Sequence, residues 1–190
     1  MTEAGGRPAK RPGALSGPSL GRVFVIGGTG MLRDACGAIA PRCESLVMAA
    51  RRPQVLAEKI GATALVLDWS DRPAAADALP PMESRFDLAI SWLHRDGLWL
   101  VPHLEARLRP GGRSIRIHSS AALADGALAR IDPPAPPQVR RQRVLLGRRG
   151  TRWLTDAEIS AGLLEAIATP ERDVLIVGDA PRGVPEEPGR

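Results

Sequence analysis

Short apolar runs recur along this chain and are separated by glycine, proline and polar segments. The runs are rich in valine, isoleucine and leucine, and they have the length of buried strands rather than of long helices. They predict strands at residues 22–27, 45–50, 62–67, 86–92, 114–119, 138–146 and 173–177. Strands that are apolar throughout are typical of a parallel sheet that is covered on both faces.

The segments between these runs predict helices, which alternate with the strands. The predicted helices are residues 31–40, 53–60, 71–79, 98–108 and 155–168. Thr155 followed by Glu158 predicts a capping box at the start of the last helix, and Pro110-Gly111-Gly112 is expected to end the fourth. The alternation predicts an α/β fold, a doubly wound and mostly parallel Rossmann-type sheet with helices on both faces.

Length and local composition predict one domain with tails. A chain of 190 residues is expected to form a single domain, here over residues 21–180. Residues 1–20 are rich in glycine, proline, alanine and serine and are expected to be a disordered leader. Residues 181–190 are expected to be a flexible tail, and residues 131–137, IDPPAPP, a loop without regular structure.

Composition narrows the range of partners. The formal net charge is +5, yet the basic residues are scattered, and the chain has two phenylalanines and no tyrosine to stack on bases, so nucleic acid is not expected. No window reaches the roughly 18 consecutive apolar residues of a membrane span, so a membrane is not expected either. Cys36 and Cys43 are the only cysteines, and their spacing suits neither a zinc site nor a disulfide framework. No metal is therefore predicted, and a reduced cytoplasm is the expected compartment.

The first predicted strand ends in a glycine cluster. Residues 25–32 read VIGGTGML and lead directly into a predicted helix. Strand, glycine turn and helix is the arrangement that cradles a dinucleotide pyrophosphate, because glycine lets the backbone approach the phosphates closely. The expected phosphate-loop residues are Gly27, Gly28, Thr29, Gly30, Met31 and Leu32, with Arg33 adding a charge. The alternative is a structural turn without a ligand.

An arginine pair follows the second predicted strand. Arg51 lies 21 positions after Gly30, close to the distance at which dinucleotide folds place the residue that contacts the adenosine ribose. An acid there would bond a ribose 2′-hydroxyl, whereas arginine suits a 2′-phosphate. Arg51 and Arg52 therefore favour NADP(H) over NAD(H) as the cofactor. The alternative is that both are solvated loop charges.

Residues just past the other strands complete the candidate site. Asp68 is expected either to meet the adenine or to cap the following helix, where aspartate is favoured. Ser91 and Trp92 are expected to border the nicotinamide ribose. His94 is the candidate general acid or base, because an unperturbed imidazole titrates near neutrality. Ser119 lies past the fifth strand.

Several blocks resemble the short-chain dehydrogenase/reductase superfamily, in a small atypical bacterial branch. The blocks are VIGGTGML at 25–32, AARRP at 49–53, the Trp92/His94 pair, IHSSAA at 117–122 and RWLTDAEISAGLLEAI at 152–167. The resemblance implies a Rossmann fold and an NADP-type cofactor. In that superfamily a catalytic serine follows the fifth strand, and Ser119 or Ser120 matches it, which makes Ser119 the second catalytic candidate.

The chain departs from the superfamily at its catalytic pair, a tyrosine followed four residues later by a lysine. It has no tyrosine, and its two lysines, Lys10 and Lys59, fit no such motif. The implied reaction is hydride transfer to a small carbonyl or imine substrate that the sequence does not name. The proton must then come from His94, His118 or water, or the protein does not reduce a substrate.

Two further interpretations stay open. DLAISWLH at 87–94 and LRPGGR at 108–113 are similar to S-adenosylmethionine-dependent methyltransferases, although those enzymes place an acid where this chain has Arg51. The missing tyrosine and lysine favour a non-catalytic NADP(H)-binding sensor or scaffold. For the dehydrogenase-like interpretation, the short chain is expected to leave room only for a small pocket, or for one shared across a homo-oligomer interface.

Overall fold

The computed structural model describes residues 17–119 and 135–179. Its strands are β1 (Gly21–Ile26), β2 (Cys43–Ala50), β3 (Thr63–Val66), β4 (Phe86–Trp92), β5 (Leu108–Ser119), β6 (Arg140–Leu146), β7 (Arg148–Arg149), β8 (Arg152–Trp153) and β9 (Val174–Val177). Its α-helices are α1 (Arg33–Ile39), α2 (Gln54–Ile60), α3 (Arg72–Ala78), α4 (Leu100–Glu105) and α5 (Asp156–Ala168). Residues 1–16 of the predicted leader, the whole predicted tail and part of the predicted loop 131–137 lie outside the described residues.

Seven of the strands form one sheet in the order β3-β2-β1-β4-β5-β6-β9, and every neighbouring pair is parallel. Val25 of β1 lies opposite Met48 on one side and Ile90 on the other, at the position where the strand order reverses. All seven predicted strands are present, and the predicted α/β Rossmann-type fold is confirmed. A short antiparallel hairpin, β7–β8, follows β6.

The direction of the last strand bears on the methyltransferase interpretation. That interpretation requires a reversed hairpin at the end of the sheet. β9 instead runs parallel to β6, with Val177 opposite Leu146. Within the described part of the main sheet no strand is antiparallel, so the feature that this alternative needs is missing there.

Two apolar cores lie on opposite faces of the sheet. Side chains alternate along β1, so that Val23 and Val25 enter one core while Phe24 and Ile26 enter the other. The first core is closed by α1, α2 and α5, and the second by α3 and α4. Helices therefore cover both faces of the sheet, which explains why its strands are apolar on both faces.

Residues 98–108 do not form one helix, and that prediction is wrong in extent. α4 covers only Leu100–Glu105, and β5 already begins at Leu108, which lies opposite Phe86. The Pro-Gly-Gly segment therefore lies inside the bounds of β5, where Gly111 has a φ of +77°. Pairing with β4, a contact distant in sequence, overrides the local pattern that favoured a longer helix.

A buried ion pair connects α4 to β6. The Arg141 guanidinium donates from Nε to Glu105 Oε1 at 2.9 Å and from Nη2 to Oε2 at 2.6 Å. The side chains retain only 4% and 1% of their accessible surface, respectively. A bidentate pair of this kind compensates much of the desolvation of both charges, so it fixes the helix over this part of the sheet.

The predicted capping box at the start of α5 is confirmed. Thr155 Oγ1 accepts from the Glu158 N–H at 3.3 Å, and the Thr155 N–H donates to Glu158 Oε2 at 2.8 Å. Arg149 and Arg152 also donate to the Glu158 carboxylate. One acid therefore caps the helix and holds the β7–β8 hairpin beside it.

Membrane insertion through a helix has no support in the described ranges, where none of the helices is long and apolar enough to cross a bilayer. The longest, α5, has 13 residues, fewer than the roughly 20 that a spanning helix needs.

We expect Gly27→Ala to lower the free energy of unfolding by about 2–5 kcal/mol, because it combines left-handed backbone strain with a steric clash. Gly27 has a φ of +79°, and a Cβ built there collides with the carbonyl oxygen of Trp92. Gly111→Ala is the matched control, because its φ is +77° but its Cβ would meet no atom within 4 Å. Denaturant unfolding should give a loss of only about 1–2 kcal/mol for the control. Equal losses would contradict the close approach of β1 to Trp92.

Candidate functional site

A cleft of about 460 Å³ opens at the carboxyl ends of β1 to β4. Its described lining residues are Gly27, Thr29, Ala50, Arg51, Arg52, Trp69, Trp92 and His94. They follow four different strands and meet where the strand order reverses between β1 and β4. Ligands of open α/β sheets bind in this position, outside the strand ends at the switch point.

Two glycines of the loop are required by the protein's own packing. Gly27 donates its N–H to the Ala49 carbonyl at 3.1 Å, and its positive φ turns the chain away from the sheet. Gly28 is buried, and a Cβ there would lie 2.9 Å from Cys36 Sγ. A structural turn is therefore sufficient to explain both.

Gly30 differs from both of these glycines. It is exposed, its φ lies outside the left-handed region, and a Cβ built on it meets no atom within 4 Å. No described atom of the protein therefore requires glycine at this position. A ligand that lies close to the loop backbone would supply a reason.

The remaining loop residues divide between the cleft and the core. Thr29 lines the cleft, whereas Leu32 is fully buried in the first core. The Met31 carbonyl accepts from Ser160 Oγ at 2.9 Å, which ties the loop to α5. Arg33 is exposed on α1 and is not among the described lining residues. The side chains of Met31 and Leu32 thus pack against the first core, and neither residue is among the described lining residues of the cleft.

Arg51 and Arg52 both line the cleft and are both exposed. They follow β2 directly, so two positive charges lie at the end of that strand, in the same cleft as the glycine loop. α1 adds little attraction for a phosphate, since it is short and has Asp34 in its first turn. The two guanidinium groups are therefore the main source of positive charge among the described lining residues.

Asp68 is placed beside the cleft and does not cap the next helix. Its carboxylate accepts from Ser70 Oγ at 2.7 Å and from the Ser70 N–H at 3.0 Å. These two bonds, with a smaller contribution from the Arg51 charge, lower the pKa of Asp68. The cap of α3 is Asp71, which accepts from the Ala74 N–H at 3.2 Å. The capping alternative for Asp68 is thus wrong, and its contact with adenine stays a prediction.

Trp69 is a lining residue that the sequence reasoning missed. It is half-buried, and its carbonyl accepts from Trp99 Nε1 at 3.2 Å. A Cβ on Gly97 would lie 3.2 Å from the Trp69 ring, so this glycine leaves room for the indole. The available signal was its position, an aromatic residue immediately after the acid that follows β3.

Trp92 and His94 form the wall of the cleft at the end of β4. Their ring centroids lie 5.9 Å apart, edge to face at 65°. Trp92 is half-buried against the first core, and His94 is exposed. Ser91 is buried and is not among the described lining residues. Of the two residues expected to border a nicotinamide ribose, only Trp92 therefore lines the cleft.

Only one of the two catalytic candidates is among the described lining residues of the cleft. His94 lines the cleft, whereas Ser119 ends β5 opposite Leu146 and is not among the described lining residues. Ser120, the alternative match, lies outside the described residues. The structure therefore offers one titratable side chain other than arginine among the described lining residues, the imidazole of His94.

His118 is unsuited to donate a proton as an imidazolium near neutral pH. It is 5% exposed, and Nε2 has no hydrogen-bond partner among the described groups. Burial, and then the charges of Arg116, Arg143 and Arg141, lowers the pKa of His118 to about 3. The ring is therefore neutral at pH 7, and the alternative that names it as the proton source loses support.

No protein-family model matches the chain, and no curated protein does.

Solved structures share the fold at low identity. A short-chain type dehydrogenase/reductase from Mycobacterium marinum is 18% identical with a TM-score of 0.64, over 84% of this chain and 94% of that one. BdcA from E. coli, solved in complex with NADPH, is 16% identical with a TM-score of 0.57, over 87% and 95%. A carbonyl reductase from Pseudomonas aeruginosa PAO1 is 18% identical with a TM-score of 0.56, over 83% and 95%. The chain therefore has the Rossmann-type fold of short-chain dehydrogenase/reductase structures, as the sequence resemblance implied.

We expect the free energy of unfolding to fall as the pH is lowered below 6.5, in part because His118 takes up a proton only on unfolding. The folded-state pKa is depressed from 6.5 to about 3, so between these values the unfolded chain binds more protons than the folded one. His118→Asn should make stability less dependent on pH in this window, measured by denaturant unfolding at a series of pH values. The exposed His103, replaced by Asn, is the control. A slope unchanged by His118→Asn would show that this ring is protonated in the folded protein.

Proposed function

We propose that this protein binds NADP(H) in the cleft at the ends of β1 to β4. The observation that carries the proposal is that Arg51 and Arg52 line the same cleft as Gly27 and Thr29, at the switch point of the sheet. No carboxylate stands among the described lining residues, so a ribose 2′-phosphate would meet two guanidinium groups and no opposing charge.

The residues in and around the cleft suit NADP(H). Gly30 leaves open space beside the loop backbone, which is what a pyrophosphate lying against that backbone needs. Trp69 offers an aromatic surface for a purine on the same side as the arginines. BdcA, a structure with the same fold, was solved with NADPH, and this supports the choice of cofactor.

We further propose, as the catalytic form of this function, reduction of a small carbonyl or imine. NADPH supplies a hydride when bound, and the protein must supply a proton. His94 is the residue in this chain that supports the proposal, because its imidazole borders the cleft.

A binding-only role is the second candidate. It is favoured by the lack of any tyrosine in the chain and by the absence of Ser119 from the described lining residues of the cleft. NADPH affinity without oxidation of the cofactor, across a panel of small aldehydes, ketones and imines, would support a sensor or scaffold.

A cytoplasmic location stays a prediction from the cysteine content.

We expect Arg51→Asp combined with Arg52→Ala to weaken NADPH binding roughly tenfold to a hundredfold, since charge-assisted bonds to the 2′-phosphate are lost. NADH, which lacks that phosphate, should lose less than about threefold. Isothermal titration at one fixed salt concentration measures both. Arg172→Ala, a change in an exposed arginine paired with Glu165, is the control for altered net charge. Equal losses for the two cofactors would contradict the 2′-phosphate assignment.

We expect Gly30→Val to abolish measurable NADPH binding while the fold is retained. Because no atom lies within 4 Å of the new Cβ, thermal unfolding should be nearly unchanged. The valine side chain would occupy the space in which the phosphates approach the loop. Unchanged NADPH affinity in the folded variant would show that this loop is only a turn.

A further inference from the structure

A hydroxyl group on the last helix is bonded to the main chain of the glycine loop. Ser160 Oγ donates to the Met31 carbonyl at 2.9 Å, although the two residues are 129 positions apart in the sequence. The serine side chain is buried, with 3% of its surface exposed. A serine within a helix commonly bonds a carbonyl of its own preceding turn. Ser160 instead bonds a segment at the other end of the fold.

The Met31 carbonyl lies just outside the hydrogen-bond ladder of α1. That helix begins at Arg33, and the Cys36 N–H donates to the Leu32 carbonyl at 2.9 Å. A bond to the preceding carbonyl would start the helix one residue earlier. No described backbone N–H donates to the Met31 carbonyl. The bond from Ser160 therefore fixes the orientation of the peptide between Met31 and Leu32.

This orientation matters because a trans peptide points its carbonyl and its N–H in opposite directions. Ser160 holds the Met31 carbonyl toward α5, so the N–H of Leu32 points away from that helix. No described backbone carbonyl accepts from this N–H. A charged oxygen is a strong acceptor for a backbone N–H. The hydroxyl of Ser160 thus determines how the loop presents one of its donors.

The loop next to this peptide depends on the bond for its conformation. Leu32 is fully buried, and Met31 packs against the first core. Gly30, which precedes them, is exposed, and a Cβ built on it would meet no atom within 4 Å. Glycine has the largest conformational freedom of all residues. Without the bond from Ser160, the main chain at Gly30 and Met31 would sample further orientations.

The helix that carries Ser160 is itself held in place on both sides of this residue. Its first turn is fixed by the capping box of Thr155 and Glu158. Two residues after Ser160, α5 approaches β9 so closely that a Cβ on Gly162 would collide with the Val177 side chain. The position of the hydroxyl is therefore set by the packing of α5 on the sheet.

We propose that Ser160 is a positioning residue for the dinucleotide site, and that it holds the glycine loop, through the Met31 carbonyl, in the conformation that receives the diphosphate. The inference rests on the proposed NADP(H) binding. It adds a residue on a distant helix that is not among the described lining residues of the cleft. NADPH and NADH share the diphosphate, so Ser160 affects both cofactors equally, unlike Arg51 and Arg52.

The test is isothermal titration of the full chain with NADPH and NADH. Ser160→Ala should weaken both by the same factor, about threefold to tenfold. Ser114→Ala is the matched control, because it removes another buried hydroxyl, from β5, and should change neither affinity. Unchanged affinities in folded Ser160→Ala, or a loss confined to NADPH, would overturn the inference and leave the proposed function intact. If the native chain binds neither dinucleotide, the proposed function fails and this inference fails with it.

Two variants of equal size separate the hydrogen bond from the packing of the side chain. Ser160→Thr keeps the hydroxyl, whereas Ser160→Val has the same shape without a donor. The threonine variant should bind NADPH within about twofold of the native chain, and the valine variant should show the loss expected for alanine. Equal affinities of the two variants would overturn the inference.

Should Ser160→Ala not fold, Ser160→Cys takes its place, because a thiol is similar in shape and a weaker donor. This variant should also weaken NADPH and NADH by one factor. Native affinity for both cofactors would overturn the inference.

Discussion

The candidate site depends on the close approach of Gly27, where the chain leaves β1, to the neighbouring strand β4. Gly27 has a left-handed φ, its N–H is bonded to β2, and its α-carbon faces the carbonyl of Trp92 in β4. Only glycine satisfies these three conditions at once. From this point the chain turns into α1 and leaves a crevice between the strand ends. The residues after β2, β3 and β4 can meet one another there because of this turn.

Charge is distributed so that the crevice stays positive. The two arginines after β2 face it with no carboxylate among the described lining residues, while Asp68 beside them is already engaged by Ser70. Elsewhere the described arginines are largely committed to internal partners, as Arg141 is to Glu105. An anionic ligand therefore has a defined place to bind despite the scattered basic composition.

The sequence predicts the sheet and much of the site, because both depend on local patterns. Apolar runs give the strands, and the distance from Gly30 to Arg51 follows from one strand–helix–strand unit. Contacts between distant segments are harder to predict. β5 starts early because it pairs with Phe86, and Trp69 enters the cleft because Gly97 and Trp99 make room for it and hold it. No local sequence pattern around Trp69 indicates that Gly97 and Trp99 are its partners.

The same limit applies to the catalytic candidates. The sequence made His94 the candidate acid or base and left His118 as an alternative proton source, but only the surroundings separate an exposed ring in the cleft from a buried ring among arginines. The most direct test of the account is parallel isothermal titration of the native chain with NADPH, NADH and S-adenosylmethionine at one salt concentration. We expect NADPH to bind most tightly and S-adenosylmethionine not to bind. Binding of S-adenosylmethionine, or equal affinity for the two dinucleotides, would contradict it.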